Sequence, residues 1–239
     1  MPRSPEPDAP LVPAADIQPG PITSIAARRR ERGRFLISIA GAPAFTLGEE
    51  ILVRSGIQTG DELDSATILR LVAEDDVARA TEAALHFLAY RARSEHEVRD
   101  RLKHGGFSAE AVAAAIARLH DWRYLDDADF ARRWVESRSR GRPRGQRLLQ
   151  QELRRKGIDA ETSQQAIAEA ELDEVAAATE LARKRLSAVA GEDPLAVKRK
   201  VSAYLARRGY GFDVVRKALE QATGEPLDEA PADGPDFLT

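Results

Sequence analysis

The chain has 239 residues, no cysteine and a formal charge of -3, with 43% hydrophobic, 31% charged and 5% aromatic residues. That length suits one large or two small soluble domains, and the missing cysteines exclude disulfides, thiolate metal sites and cysteine nucleophiles. The longest apolar runs, such as Ala111–Ala117, fall far short of the roughly 18 residues that span a bilayer, so a cytoplasmic protein with no membrane partner is expected.

Residues 1–21 carry seven prolines and no apolar core of a secretory signal, and they predict a disordered tail because they bury too little to offset the entropy of ordering. Residues 22–65 change character. Ile22–Ala27, Arg34–Ile39 and Ala44–Leu47 are rich in strand-forming residues, with turns at Arg30–Gly33 and at Gly41, which predicts a small three-stranded antiparallel sheet. A short helix is expected near Leu47–Ser55, and a sheet this small needs cover on one face.

From about Ser65 the apolar residues recur at three- and four-residue spacing, the period of helices. Helix starts are marked by Ser94 with Glu97, by Asp126 with Asp129, and by Asp193 before Pro194, each able to accept a first-turn N–H. Three segments align without gaps: Leu102 to Gly106 and Phe107, Leu153 to Gly157 and Ile158, Leu205 to Gly209 and Tyr210. Val98, Leu149 and Val201 precede them at equal spacing, and Ile116, Ile167 and Leu219 follow. Each copy reads as a helix ending on a left-handed glycine, an apolar residue that tucks back, and a second helix. A preceding helix (near Glu82–Arg91, Asp127–Ser139 or Glu174–Val189) completes a three-helix unit. The expected fold is therefore mainly α: three tandem three-helix repeats over 66–125, 126–171 and 172–222 in an elongated array, preceded by a small N-terminal antiparallel β region. An acidic disordered tail is expected over 223–239.

The near-neutral total hides a segmented charge. Residues 126–158 hold 10 basic and 5 acidic side chains, whereas residues 159–190 hold 3 and 7. Between Arg132 and Lys156, Glu136 and Glu152 are the only carboxylates. A helix over Pro143–Lys156 would place Arg144, Arg147, Gln151, Arg154 and Arg155 on one face, opposite Leu149 and Leu153. With Arg132, Arg133, Arg140 and Arg142 this predicts a surface for a polyanion or an acidic protein, weakened by salt. Arg28, Arg29, Arg30, Arg32 and Arg34 form a second, weaker cluster.

No catalytic constellation is present: the sequence has no phosphate loop, no His-Glu-x-x-His and no Gly-x-Ser-x-Gly. His86, His96, His104 and His120 lack the spacing of metal ligands, and Asp126, Asp127 and Asp129 are better explained as stabilising a helix N-terminus. Phe130 with Trp134, and Trp122 with Tyr124, are expected in the core of the middle repeat. The protein is expected not to be an enzyme and to need no cofactor or metal.

Four stretches carry a family resemblance: Ala89-Tyr-Arg-Ala-Arg-Ser94-Glu-His-Glu-Val98-Arg-Asp-Arg-Leu102, Tyr124-Leu-Asp-Asp-Ala-Asp-Phe130-Ala-Arg-Arg-Trp134, Arg142-Pro-Arg-Gly-Gln-Arg-Leu148 and Gln151-Glu-Leu153-Arg-Arg-Lys-Gly157-Ile158. With them the chain resembles the RecX family, modulators of the recombinase RecA, over about residues 22–222. The Pro-rich start and acidic end depart from the pattern. The resemblance implies a non-enzymatic role: binding RecA and its filament on DNA, and limiting filament extension, ATP hydrolysis and strand exchange in recombination and repair. A monomer with only weak binding to single- or double-stranded DNA is expected. The residues expected to make contact are Arg132, Arg133, Arg140, Arg142, Arg144, Arg147, Arg154, Arg155 and Lys156. Two other functions fit the same residues: a helix-turn-helix DNA-binding regulator acting without RecA, and a helical scaffold indifferent to the arginines.

Overall fold

A computed structural model describes residues 13, 16–141, 143–188 and 193–224. Most of the Pro-rich start, Arg142, Val189 and nearly all of the acidic end lie outside the described residues. The chain order is β1 (Gly20–Ala27), β2 (Arg34–Ile39), β3 (Ala42–Gly48), α1 (Glu49–Ser55), β4 (Glu62–Leu63), α2 (Ser65–Leu88), α3 (Glu95–His104), α4 (Ala109–Asp121), α5 (Asp127–Arg140), α6 (Gln146–Arg155), α7 (Ala160–Glu169), α8 (Glu174–Ser187), α9 (Pro194–Arg207) and α10 (Phe212–Thr223). The fold is mainly helical, with a small N-terminal antiparallel sheet, as the periodicities require.

The sheet has four strands among the described residues, in the order β3-β2-β1-β4, rather than three. The additional strand is two residues long and pairs Leu63 with Gly20 and Glu62 with Pro21. Two residues cannot show an alternation, so no sequence period marks them. Strands β2 and β3 are joined through Ala40 and Gly41, both at positive φ (48° and 84°), the backbone of a tight two-residue hairpin. Ile37, Ile39, Phe45 and Leu47 pack with Ile51 of α1 and with Ile68 and Leu71 of α2, the cover that so small a sheet needs. Arg34 ties strand to helix: its guanidinium reaches both carboxylate oxygens of buried Asp75 at 2.8 Å, and that carboxylate also accepts the Gly48 N–H at 2.7 Å.

Helix α2 is 24 residues long and starts well before Glu82, because the Asp64 carboxylate caps it by accepting the Thr67 N–H at 2.8 Å. It serves two cores. Ile68 and Leu71 belong to the sheet, while Ala80 and Ala84 pack with Val98, Leu102, Val112, Ile116 and Leu119 of the helices that follow. Residues through Arg93 with Val98–Leu125 form one compact unit, and Ser94–Glu97 with residues from Asp126 onward form the other.

In the second unit, Phe130, Val135, Leu149, Leu153, Ile158 and Ile167 make the core of α5–α7. Val197, Val201, Leu205, Tyr210, Val215 and Leu219 make that of α8–α10. One pattern of contacts occurs twice in this unit. Ser94 Oγ donates to the Lys156 carbonyl at 2.6 Å, and the Glu95 N–H donates to Asp127 at 2.9 Å. At the equivalent positions the Gly145 N–H donates to the Arg208 carbonyl at 2.9 Å, and the Gln146 N–H donates to Glu174 at 2.8 Å. The turn glycines make these approaches possible. A Cβ on Gly157 would lie 2.3 Å from that of His96, and one on Gly209 would lie 2.4 Å from that of Leu148.

Candidate functional site

The basic segment is built on α5 and α6. Asp126 caps α5 by accepting the Asp129 N–H at 2.8 Å. Its neighbours have separate tasks: Asp127 accepts from Glu95 at 2.9 Å, and Asp129 pairs with Arg133 at 2.7 Å and with Arg132 at 3.6 Å. The acidic triple is thus spent on helix ends and ion pairs. No group of three or more His, Cys, Asp or Glu able to hold a metal occurs among the described residues.

Helix α6 begins at Gln146, with Gly145 in extended conformation as its cap, and not at Pro143. The reason is tertiary: Gly145 lies against the Arg208–Tyr210 turn, where its own N–H bonds the Arg208 carbonyl. Arg144 therefore precedes the helix and leaves the face on which a longer helix would have placed it. Arg147, Gln151, Arg154 and Arg155 remain on that face and are exposed, opposite buried Leu149 and Leu153. On α5, Arg132, Arg133 and Arg140 are exposed as well, Arg140 paired with Glu136. Arg147, Arg154 and Arg155 have no ion-pair partner among the described residues. Arg142 lies outside them.

Two of the expected contact residues turn inward. Arg144 pairs with Glu152, and Lys156 pairs with Glu97 at 2.8 Å while its ammonium sits 5.3 Å from the centre of the Trp134 ring. Glu152 is the hub that sequence reasoning missed. Its side chain is 13% exposed, and besides Arg144 it accepts the Trp134 indole N–H at 3.0 Å and Arg138 Nε at 3.4 Å. Arg138 also stacks over Trp134, 4.2 Å from the ring centre. Trp134 stacks on Phe130 at 5.8 Å, so this aromatic pair packs as expected while its outer edge orders cations. Burial, with Arg138 and Arg208 close by, holds the Arg144 guanidinium below its ordinary value, yet an arginine remains charged at neutral pH. A glutamate inside a basic run, one of two there, was the available signal. Its consequence is that Glu152 is withdrawn together with Arg138 and Arg144, so Glu136 is the run's one exposed carboxylate beside the outer arginines.

The other aromatic pair departs from expectation. Trp122 and Tyr124 are 53% and 59% exposed. The chain turns at Arg123, at φ 58°, and Leu125 takes the core position, with its N–H on the Leu119 carbonyl.

Against known proteins, the first, second and third three-helix domains of RecX match residues 80–119, 126–167 and 172–219. Relatives named regulatory protein RecX from Bacillus velezensis and Bacillus subtilis are 34% and 33% identical, covering 87% and 84% of this chain and 80% and 76% of theirs. The chain belongs to the RecX family. A crystal structure of regulatory protein RecX superimposes with a TM-score of 0.68 at 26% identity, over 86% of this chain and 99% of that one. RecX from Lactobacillus salivarius, at 22% identity and a TM-score of 0.59 over 62% of this chain and 97% of that one, shares the fold. RecX proteins are regulatory and not enzymes, which agrees with the lack of a catalytic constellation in the sequence. No helix among the described residues is long and apolar enough to cross a membrane.

Proposed function

We propose that this RecX protein binds the RecA recombinase and its filament on DNA, and that it limits filament extension, ATP hydrolysis and strand exchange. One observation carries the placement of the contact surface. Arg132, Arg133, Arg140, Arg147, Arg154 and Arg155 are exposed on α5 and α6, while Glu152 is half-buried and paired with Arg138 and Arg144. Guanidinium groups suit both phosphate and carboxylate because their paired donors match either anion. Arg144 and Lys156 support this surface from within, and Arg142 is assigned to it by its place in the sequence. The protein acts as a cytoplasmic monomer, and its affinity for DNA alone is weak and salt-sensitive.

The test is RecA ATPase activity and filament length on single-stranded DNA, with wild type and with Arg140, Arg147 and Arg154 changed to Glu. Wild type is expected to shorten filaments and slow hydrolysis, and the triple variant to lose most of both effects. No effect of wild type on either readout would refute the function. A fully active triple variant would refute the surface. Sequence-selective DNA affinity without any recombinase would instead favour a helix-turn-helix DNA-binding regulator.

A further inference from the structure

The turn between β1 and β2 carries five arginines in seven residues, Arg28–Arg34, with one carboxylate, Glu31. The two ends of the turn are tied down. Arg34 is committed to Asp75 and to the Thr46 hydroxyl, and Glu31 takes Arg28 at 2.8 Å and Arg34 at 3.8 Å. The backbone is held as well: the Arg28 N–H donates to the Arg34 carbonyl at 2.9 Å, and the Glu49 N–H donates to the Gly33 carbonyl at 3.0 Å. Gly33, at φ 76°, closes the turn in a conformation that other residues resist. Glu31 pairs with the two arginines at the base, and Arg29, Arg30 and Arg32 are exposed on a tip that the sheet holds in place.

The geometry points to this hairpin tip as a second nucleic-acid contact, in which Arg29, Arg30 and Arg32 neutralise backbone phosphates. It belongs to the first unit, whereas α5 and α6 belong to the second, and it does not depend on a recombinase. Phosphate is the partner the cluster fits, because arginines close together on a held tip match the closely repeated charges of a nucleic-acid backbone. None of the large exposed apolar side chains among the described residues falls in this turn. A cluster of cations without apolar company gives a sequence-independent, salt-dependent attraction.

The test titrates the full chain, without recombinase, against labelled oligo(dT) and a labelled duplex across about 50 to 200 mM salt. Changing Arg29, Arg30 and Arg32 to Ala is expected to weaken binding to both. The slope of log affinity against log salt should fall by about 2 to 3, since each lost phosphate contact removes roughly 0.7 to 0.9. The matching Lys variant should keep the slope. An unchanged slope in the Ala variant overturns the proposal, as does a Lys variant that behaves like Ala. Unaltered DNA binding together with a lost effect of the same variant in the separate recombinase assay also overturns it, and would assign the tip to an acidic protein surface. Arg29→Ala alone gives a milder version of the same readout should the triple variant fold poorly. Because no recombinase is present, a negative result here leaves the α5–α6 reading to its own experiment.

Discussion

Glu152 shows how one side chain changes the meaning of its neighbours. In the sequence it is a minor acidic interruption of a basic run. In the fold it holds Trp134, Arg138 and Arg144 together. Changing Glu152 to Gln keeps the shape but leaves two partly buried arginines uncompensated, which is expected to cost about 1–2 kcal/mol in a urea titration. A variant as stable as wild type would show that the hub is incidental. Tyr210 offers a pH test at the same scale. Its hydroxyl is buried without a hydrogen-bond partner among the described residues, and burial, reinforced by the nearby Glu174 carboxylate, pushes its pKa from 10.0 up to about 12. Above pH 10 the unfolded chain loses this proton and the folded one keeps it, so stability falls as pH rises toward about 12. Tyr210→Phe removes that contribution. At pH 7 it should be at least as stable as wild type, and its advantage should widen between pH 10 and about 12. Parallel urea midpoints for the two proteins across that range would contradict the assignment.

At the scale of elements, the repeat glycines have two different tasks. Gly106, Gly157 and Gly209 all adopt positive φ, at 80°, 79° and 87°, which the Leu-x-x-x-Gly pattern predicts. Only Gly157 and Gly209 also press against another element, since a Cβ on Gly106 would meet nothing within 4 Å. Gly106→Ala is therefore expected to cost about 1–2 kcal/mol for backbone strain alone. Gly209→Ala adds overpacking of about 1–3 kcal/mol against Leu148. Equal losses in urea titrations would refute the close approach. The start of α6 teaches the same lesson. Pro143 looks like a first helical residue, but the bond between Gly145 and Arg208 delays the helix to Gln146 and removes Arg144 from its face. Boundaries marked by side-chain caps, at Asp126 and Asp193, were legible because the capping atom is local.

At the scale of the whole molecule, net charge is a poor guide to binding. A protein of formal charge -3 displays cations on α5–α6 and again on the β1–β2 turn. If local display governs binding, as in the Proposed function, position must matter more than total charge. The Arg140, Arg147 and Arg154 reversal should be compared with a control that changes Arg118, Arg199 and Lys217, exposed on α4, α9 and α10, to Glu. Both make the same change in net charge, and only the first should abolish activity on the recombinase filament. Equal losses would mean that overall charge was responsible.

The sequence by itself determined the helical class, the small β region, the repeat of about 51 residues, the family and the location of the basic run. Each of these depends on interactions between residues close in the chain or on a pattern that recurs along it. Tertiary structure decided which charges face outward. Glu97 and Glu152 draw Lys156 and Arg144 inward, and Leu125 displaces Trp122 and Tyr124 from the core. The inward turn of Lys156 and the loss of Arg144 from the helix face depend on partners that only folding brings within reach: Glu97 lies far from Lys156 in sequence, and Gly145 far from Arg208. Local periodicity carries no record of such pairs.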